Sequence, residues 1–224
     1  MGSSPWASHD TTDPRGEAAW EDYRFPGKTP TRFAYERKDG RDALSVLAQS
    51  SASMKRQRVR VAPEDLGSVR FSWNVPALIP GADMARRDAE DSPVRIVLVF
   101  EGDRSRFSPR DAMLSELARA LTGEEMPYAT LMYVWCNQRP AGTVIENPRT
   151  SRIRKLVVES GSGNLGHWLD YERDIRADYE RVFGEAPGAL VGVGIMTDTD
   201  NTGSVARAWY GPLRFTPTAR LAAR

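Results

Sequence analysis

The feature that most constrains this fold is a series of segments in which apolar and polar residues alternate with period two, punctuated by turn residues. Period two belongs to strands, whose successive side chains point to opposite faces. The clearest case is "RFAYERKDGRDALSVLA". Phe33, Tyr35 and Arg37 point one way, Asp39-Gly40 offers the positive φ that a two-residue hairpin turn requires, and residues 43–48 return. "VRFSWNV" sets Phe71, Trp73 and Val75 on one face and Arg70, Ser72 and Asn74 on the other. "VRIVLVFEG" is almost continuously apolar, which predicts a central strand buried on both faces. "TLMYVWCN", "RIRKLVVES", "LVGVGIMT" and "VARAWYGPLRF" continue the series. The pattern predicts an all-β chain folded as an antiparallel β-sandwich.

Two short peripheral helices interrupt the strands. "SPRDAMLSELARALTG" has Ser108 as N-cap, Pro109 in the first turn and Gly123 past the end, with Met113, Leu114, Leu117 and Leu121 at helical spacing. "DIRADYERVFGEAPG" carries Ile175, Tyr179, Val182 and Phe183 on one stripe and stops at Gly184. Both are expected to cover an edge or end of the sandwich. Nothing supports alternating βαβ units. The expected organisation is a polar tail over 1–23, one domain over 24–215 and a short tail over 216–224. Residues 79–93, "IPGADMARRDAEDSP", form the most irregular internal stretch. Loops of that length inside a domain are usually functional or disordered.

Charge narrows the function classes. With 31 basic and 30 acidic side chains, the formal net charge is +1, and no electrostatic case exists for a nucleic-acid partner or a membrane surface. The basic run "MKRQRVRV" alternates, with Arg58 and Arg60 on one face and Val59 and Val61 on the other. Cys136 is the only cysteine, which excludes an intrachain disulfide, and its place in "LMYVWC" predicts a buried thiol. No apolar run reaches about 18 residues, so no membrane-inserted helix is expected. The first 23 residues contain no apolar core of a secretion signal.

Taken together, "RFPGKTPTRFAY", "LMYVWCNQRPAGTVIENPRTSRIRKLVVESG", "ERDIRADYERVFGE" and "VGIMTDTDNTGSVARAWYGPLRF" closely resemble a bacterial family of uncharacterised proteins, domain of unknown function 3047. The resemblance implies a jelly-roll-like, galactose-binding-like sandwich and an exported, periplasmic protein. It implies no activity. In a position where relatives often carry Asn, this chain has Met132.

The most conspicuous polar stretch is Asp198-Thr199-Asp200-Asn201-Thr202-Gly203. An EF-hand is rejected, because Thr202 and Trp209 stand where a fifth-position ligand and a bidentate Glu are needed. The leading reading is a strand-connecting turn. A looser calcium site on Asp198 and Asp200 is the alternative, and no other cofactor is implied. Gly192 and Gly194 share a face with Met196, where they would admit another segment or a ligand. For ligand contacts the candidates are Trp168 and Trp209 as stacking faces, Asn147 as an amide and Arg87 as a planar fork of donors. No residue is assigned as catalytic. "GSGNLG", residues 161–166, reads as a turn rather than a dinucleotide loop. The expectation is a non-enzymatic binder of a glycan or other cell-envelope component. The alternatives are a polysaccharide hydrolase or lyase using Asp198, Asp200 or His167, and an assembly component using an open sheet edge. Oligomeric state is left open.

Overall fold

The computed structural model describes residues 20–217, and the remainder of both expected tails, with His9, lies outside the described residues. Two sheets face each other. The first has seven strands in the order β1 (Glu21–Arg24), β4 (Ala52–Val61), β11 (Leu190–Asp198), β6 (Ser92–Phe100), β7 (Ala129–Cys136), β9 (Ile153–Ser160) and β8 (Val144–Glu146). The second runs β10 (Trp168–Asp174), β5 (Ser68–Asn74), β12 (Val205–Tyr210), β3 (Arg41–Gln49) and β2 (Arg32–Lys38), with β13 (Arg214–Thr216) also paired to β5. The apolar run of β6 lies in the middle of its sheet, as its composition requires. The Asp39-Gly40 turn joins β2 to β3 with φ values of 53° and 79°. Strand β1 begins inside the segment expected to be a tail and pairs with β4. One pairing departs from the antiparallel expectation. Strands β7 and β9 run parallel, because residues 137–152, including β8, form a crossover long enough to return the chain in the same direction.

The core lies between the sheets. Phe71 and Trp73 of β5 project into it, where Phe71 stacks on Tyr133 and Tyr171 with ring centroids 5.5 and 5.4 Å apart. Trp73, Tyr133 and Trp135 are fully buried. A second apolar cluster forms on the outer face of the seven-stranded sheet. There Met84, from the 79–93 loop, packs with Val134, Cys136, Ile145 and Val157. The expected buried thiol of Cys136 is therefore found beneath that loop.

Helix α1 (Pro109–Thr122) starts and stops as its caps dictate, with the Ser108 side chain accepting from the Asp111 N–H and Gly123 closing it at φ 76°. Its rotation differs from the expectation. Met113, Leu117 and Leu121 face solvent, 65, 53 and 65% exposed, while Asp111 and Ser115 are buried. The cause is a polar anchor. Asp111 accepts from the hydroxyls of Thr150 and Ser151, and Arg104 donates to Ser115. Helix α2 (Ile175–Phe183) behaves as its stripe implies and buries Ile175, Tyr179 and Val182. Among the described residues no helix is long and apolar enough to cross a membrane.

Candidate functional site

The polar candidates of the sequence separate into two groups on opposite sheets. The first surrounds the aspartate-rich turn after β11. Asp198 is buried and receives both Nε and Nη2 of Arg95 at 2.8 Å, together with the N–H of Ser92. Asp91 accepts from the N–H groups of Asn201 and Thr202, and Lys28 donates to Asp200 at 2.5 Å. The Asn201 amide donates to the Arg87 carbonyl. Beside this knot the buried Lys155 ammonium meets Glu90 at 2.6 Å, and Glu90 also accepts from Asn147. Arg95 Nη2 donates to the Glu90 carbonyl, which joins the two ion pairs.

This network clamps the 79–93 loop onto the sheet. Burial pushes the Asp198 carboxyl up to about 6, against the downward pull of Arg95. Burial, helped by neighbouring Arg95, pushes Lys155 down to about 8. Carboxylate oxygens of Asp91, Asp198 and Asp200 lie within 4.8 Å of one another. The fit to calcium is poor all the same. A guanidinium already occupies both oxygens of Asp198, and Asp91 is spent on turn amides, so the six to eight oxygens that calcium takes are not assembled. Adding calcium or a chelator is therefore expected to leave Tm unchanged. A calcium-dependent rise above about 5 °C, the shift expected near 100-fold saturation, would contradict this. Arg87, Asn147, Asp198 and Asp200 thus gather around one loop clamp, where Asn147 and Asp198 hold protein partners.

The two tryptophans form the other group, on the outer face of the six-stranded sheet. Because Val69, Phe71 and Trp73 point into the core, Arg70, Ser72 and Asn74 point outward. The register places Trp168 of β10 and Trp209 of β12 directly across from Asn74 on either side. Two strand spacings set the tryptophan positions about 10 Å apart. Asn74 is 1% exposed, and its Nδ2 donates to the Gly166 carbonyl. Its Oδ1 has no hydrogen-bond partner among the described residues.

Charged groups ring this row. The Trp209 indole N–H donates to Glu36 at 2.5 Å, and Lys38 and Arg207 lie over its ring. Trp168 donates to the Lys38 carbonyl and carries Arg41 at 5.3 Å above its ring, while Arg41 also bonds Asp170 at 2.8 Å. Beyond Trp168 a groove of about 640 Å³ continues along Arg41, Asp170, Ser72, Arg70, Glu172 and Gly211. A Cβ at Gly211 would displace the Ser72 hydroxyl, and its next contact is Ser72 Cβ at 3.5 Å. Neither indole lines the groove itself: Trp168 is half-buried beside Gly211, and Trp209 is 8% exposed.

A family model matches residues 18–214, a span that takes in β1 to β12. The chain belongs to this family. It is described as "Protein of unknown function (DUF3047)". No curated protein matches the chain. Among solved structures, similar chains include the xyloglucanase domain of NopAA, a type three effector from Sinorhizobium fredii, in complex with cellobiose. It is 11% identical, with a TM-score of 0.47, covering 90% of this chain and 94% of that one. A family 29 carbohydrate binding module is 11% identical with a TM-score of 0.34, over 88% of this chain and 81% of its own. The endo-1,4-beta-glucanase CelB2 is 11% identical with a TM-score of 0.39, over 86 and 82%.

Glu36, Lys38, Arg41, Asn74 and Asp170 were not singled out from the sequence. The signal for some of them is alternation. "WLDYERD" places Trp168, Asp170 and Glu172 on one strand face, and "VARAWY" does the same for Arg207 and Trp209. Which strands lie side by side cannot be read from either segment alone.

Proposed function

We propose that this protein is a non-enzymatic glycan-binding β-sandwich whose binding face is the outer face of the six-stranded sheet. The observation that carries the reading is the row Trp168–Asn74–Trp209, with a buried, unpaired amide oxygen between two indoles. Pyranose rings offer an apolar face to an indole and hydroxyls around the edge. Planar forks such as Arg41 and Arg70 and carboxylates such as Glu36 and Asp170 match those hydroxyls. The envelope polysaccharides of the producing cell are the ligand class proposed.

Binding is favoured over hydrolysis by the state of the carboxylates. A glycosidase acid needs its pKa raised. On this face Arg70 and Ser68 hold Glu172 below the usual carboxylate range. The carboxyl that burial does raise, Asp198, is sealed on the other sheet against Arg95. Calorimetry against a panel of neutral and acidic oligosaccharides is expected to give saturable one-to-one binding without release of product. Absence of heat across the panel, or release of product by the parent chain, would count against the proposal.

A further inference from the structure

The six-stranded sheet ends on an open strand. Strand β2 pairs with β3 and with no other described strand. The two-residue turn at Asp39-Gly40 fixes which of its main-chain groups face β3. Lys38 and Arg41 flank that turn and exchange both hydrogen bonds, so by alternation Ala34 and Glu36 also bond β3. The N–H and C=O groups of Phe33 and Tyr35 therefore point toward the open edge. Such an edge is a template for another strand unless charge, proline or a bulge blocks it. The charges at the turn end of β2 are engaged within their own hairpin. Arg37 donates to the Gly40 carbonyl at 2.7 Å, and Lys38 meets Asp39 at 3.1 Å. Arg32, at the other end, is exposed and has no ion pair among the described residues. Glu36 receives Trp209 and Arg207, both on Oε1, so Oε2 can still accept.

We infer that β2 pairs antiparallel with β2 of a second copy, about a two-fold axis through Ala34. A two-fold axis normal to the sheet sets each residue against one of the same face. Three registers then pair five or more of the seven residues of β2. Centred on Tyr35, Arg32 faces the partner's Lys38. Centred on Glu36, the two Glu36 carboxylates face each other. Both registers place like charges directly opposite, which destabilises a strand pair. Centred on Ala34, Arg32 faces the partner's Glu36 on both sides of the axis, and no like charges meet. Phe33 then faces the partner's Tyr35, a ring that is 43% exposed in the single chain. Ala34 is exposed and small, and it meets its own copy at a non-hydrogen-bonded position, where side chains come closest. The other edges offer no such match. On β10, Asp170, Glu172 and Asp174 share a face, so every comparable overlap sets acid against acid. Strands β1 and β8 are only four and three residues long. The pairing uses neither Trp168 nor Asn74 and needs no ligand, so it stands or falls separately from the glycan reading.

Sedimentation equilibrium of the full chain up to about 1 mM, where weak association is still read, is expected to show a reversible monomer–dimer equilibrium. Arg32→Glu sets a glutamate opposite the partner's Glu36 at both symmetric positions and is expected to weaken the dimer about tenfold. Single cysteines read the register. A non-hydrogen-bonded pair brings its Cα atoms to about 4.5 Å, within disulfide reach. Under mild oxidation Ala34→Cys is expected to form a covalent dimer in higher yield than Tyr35→Cys or Glu36→Cys. The parent chain, whose one cysteine is buried, is expected to form none. A monomer at every concentration would overturn the inference. So would cross-linking strongest at position 35 or 36, which belongs to another register, or a dimer that Arg32→Glu leaves at full strength. Should Ala34→Cys fail to fold, sedimentation of the parent chain and of Arg32→Glu decides.

Discussion

Arg95→Leu is expected to destabilise the protein by about 3–5 kcal/mol, the usual consequence of removing one partner of a buried ion pair. Arg95 neutralises Asp198 through two hydrogen bonds at 2.8 Å and holds the Glu90 carbonyl. Without it, a carboxylate that is 3% exposed keeps only the Ser92 N–H and must either stay charged in a poor environment or take up a proton. The effect should therefore depend on pH. In the variant the folded pKa of Asp198 rises further above its unfolded value. The destabilisation is then fully present above the folded pKa and is relieved as pH falls through it. Chemical denaturation at pH 5 and pH 8 should show the smaller loss at pH 5. Adding Asp198→Leu should restore at least half of the loss, because two apolar residues replace a pair instead of stranding one charge. A loss under about 1 kcal/mol, typical of surface positions, would show that the clamp is not built as described.

Trp168→Ala is expected to lower glycan affinity by about 2 kcal/mol or more, as aromatic anchors do, roughly 30-fold in Kd. Its stability should change little, since the indole is half-buried and its contacts lie at the surface. Trp209 is a poorer probe. It is 8% exposed and bonded to Glu36, so truncating it would disturb the sheet as well as the face. Calorimetry on Trp168→Ala beside a thermal melt separates the two effects. A folded variant with unchanged affinity would remove the indole from the site.

Much of the fold is legible in the chain because strand signals are local. Alternation in "VRFSWNV", the Asp-Gly turn and the Ser108 cap each work within a few residues. The rotation of α1 was not legible, because its polar anchors come from Arg104, Thr150 and Ser151 and outweigh an apolar stripe. The charged intruders in otherwise apolar strands, Arg95 and Lys155, make sense only with their partners, 103 and 65 residues away. The same holds for the candidate site. Trp168 and Trp209 could each be singled out, but only the register with β5 sets them around Asn74. The aspartates drew notice because they cluster in sequence. Folding turns that cluster inward, toward Arg95 and the 79–93 loop.

The indole N–H signals of the protein, followed by nuclear magnetic resonance while the oligosaccharide panel is titrated in, test the binding face most directly. Trp168 and Trp209 are expected to shift together and saturate, while Trp73 and Trp135, fully buried in the core, stay in place. Saturable glycan binding that leaves both Trp168 and Trp209 unmoved would contradict the assignment.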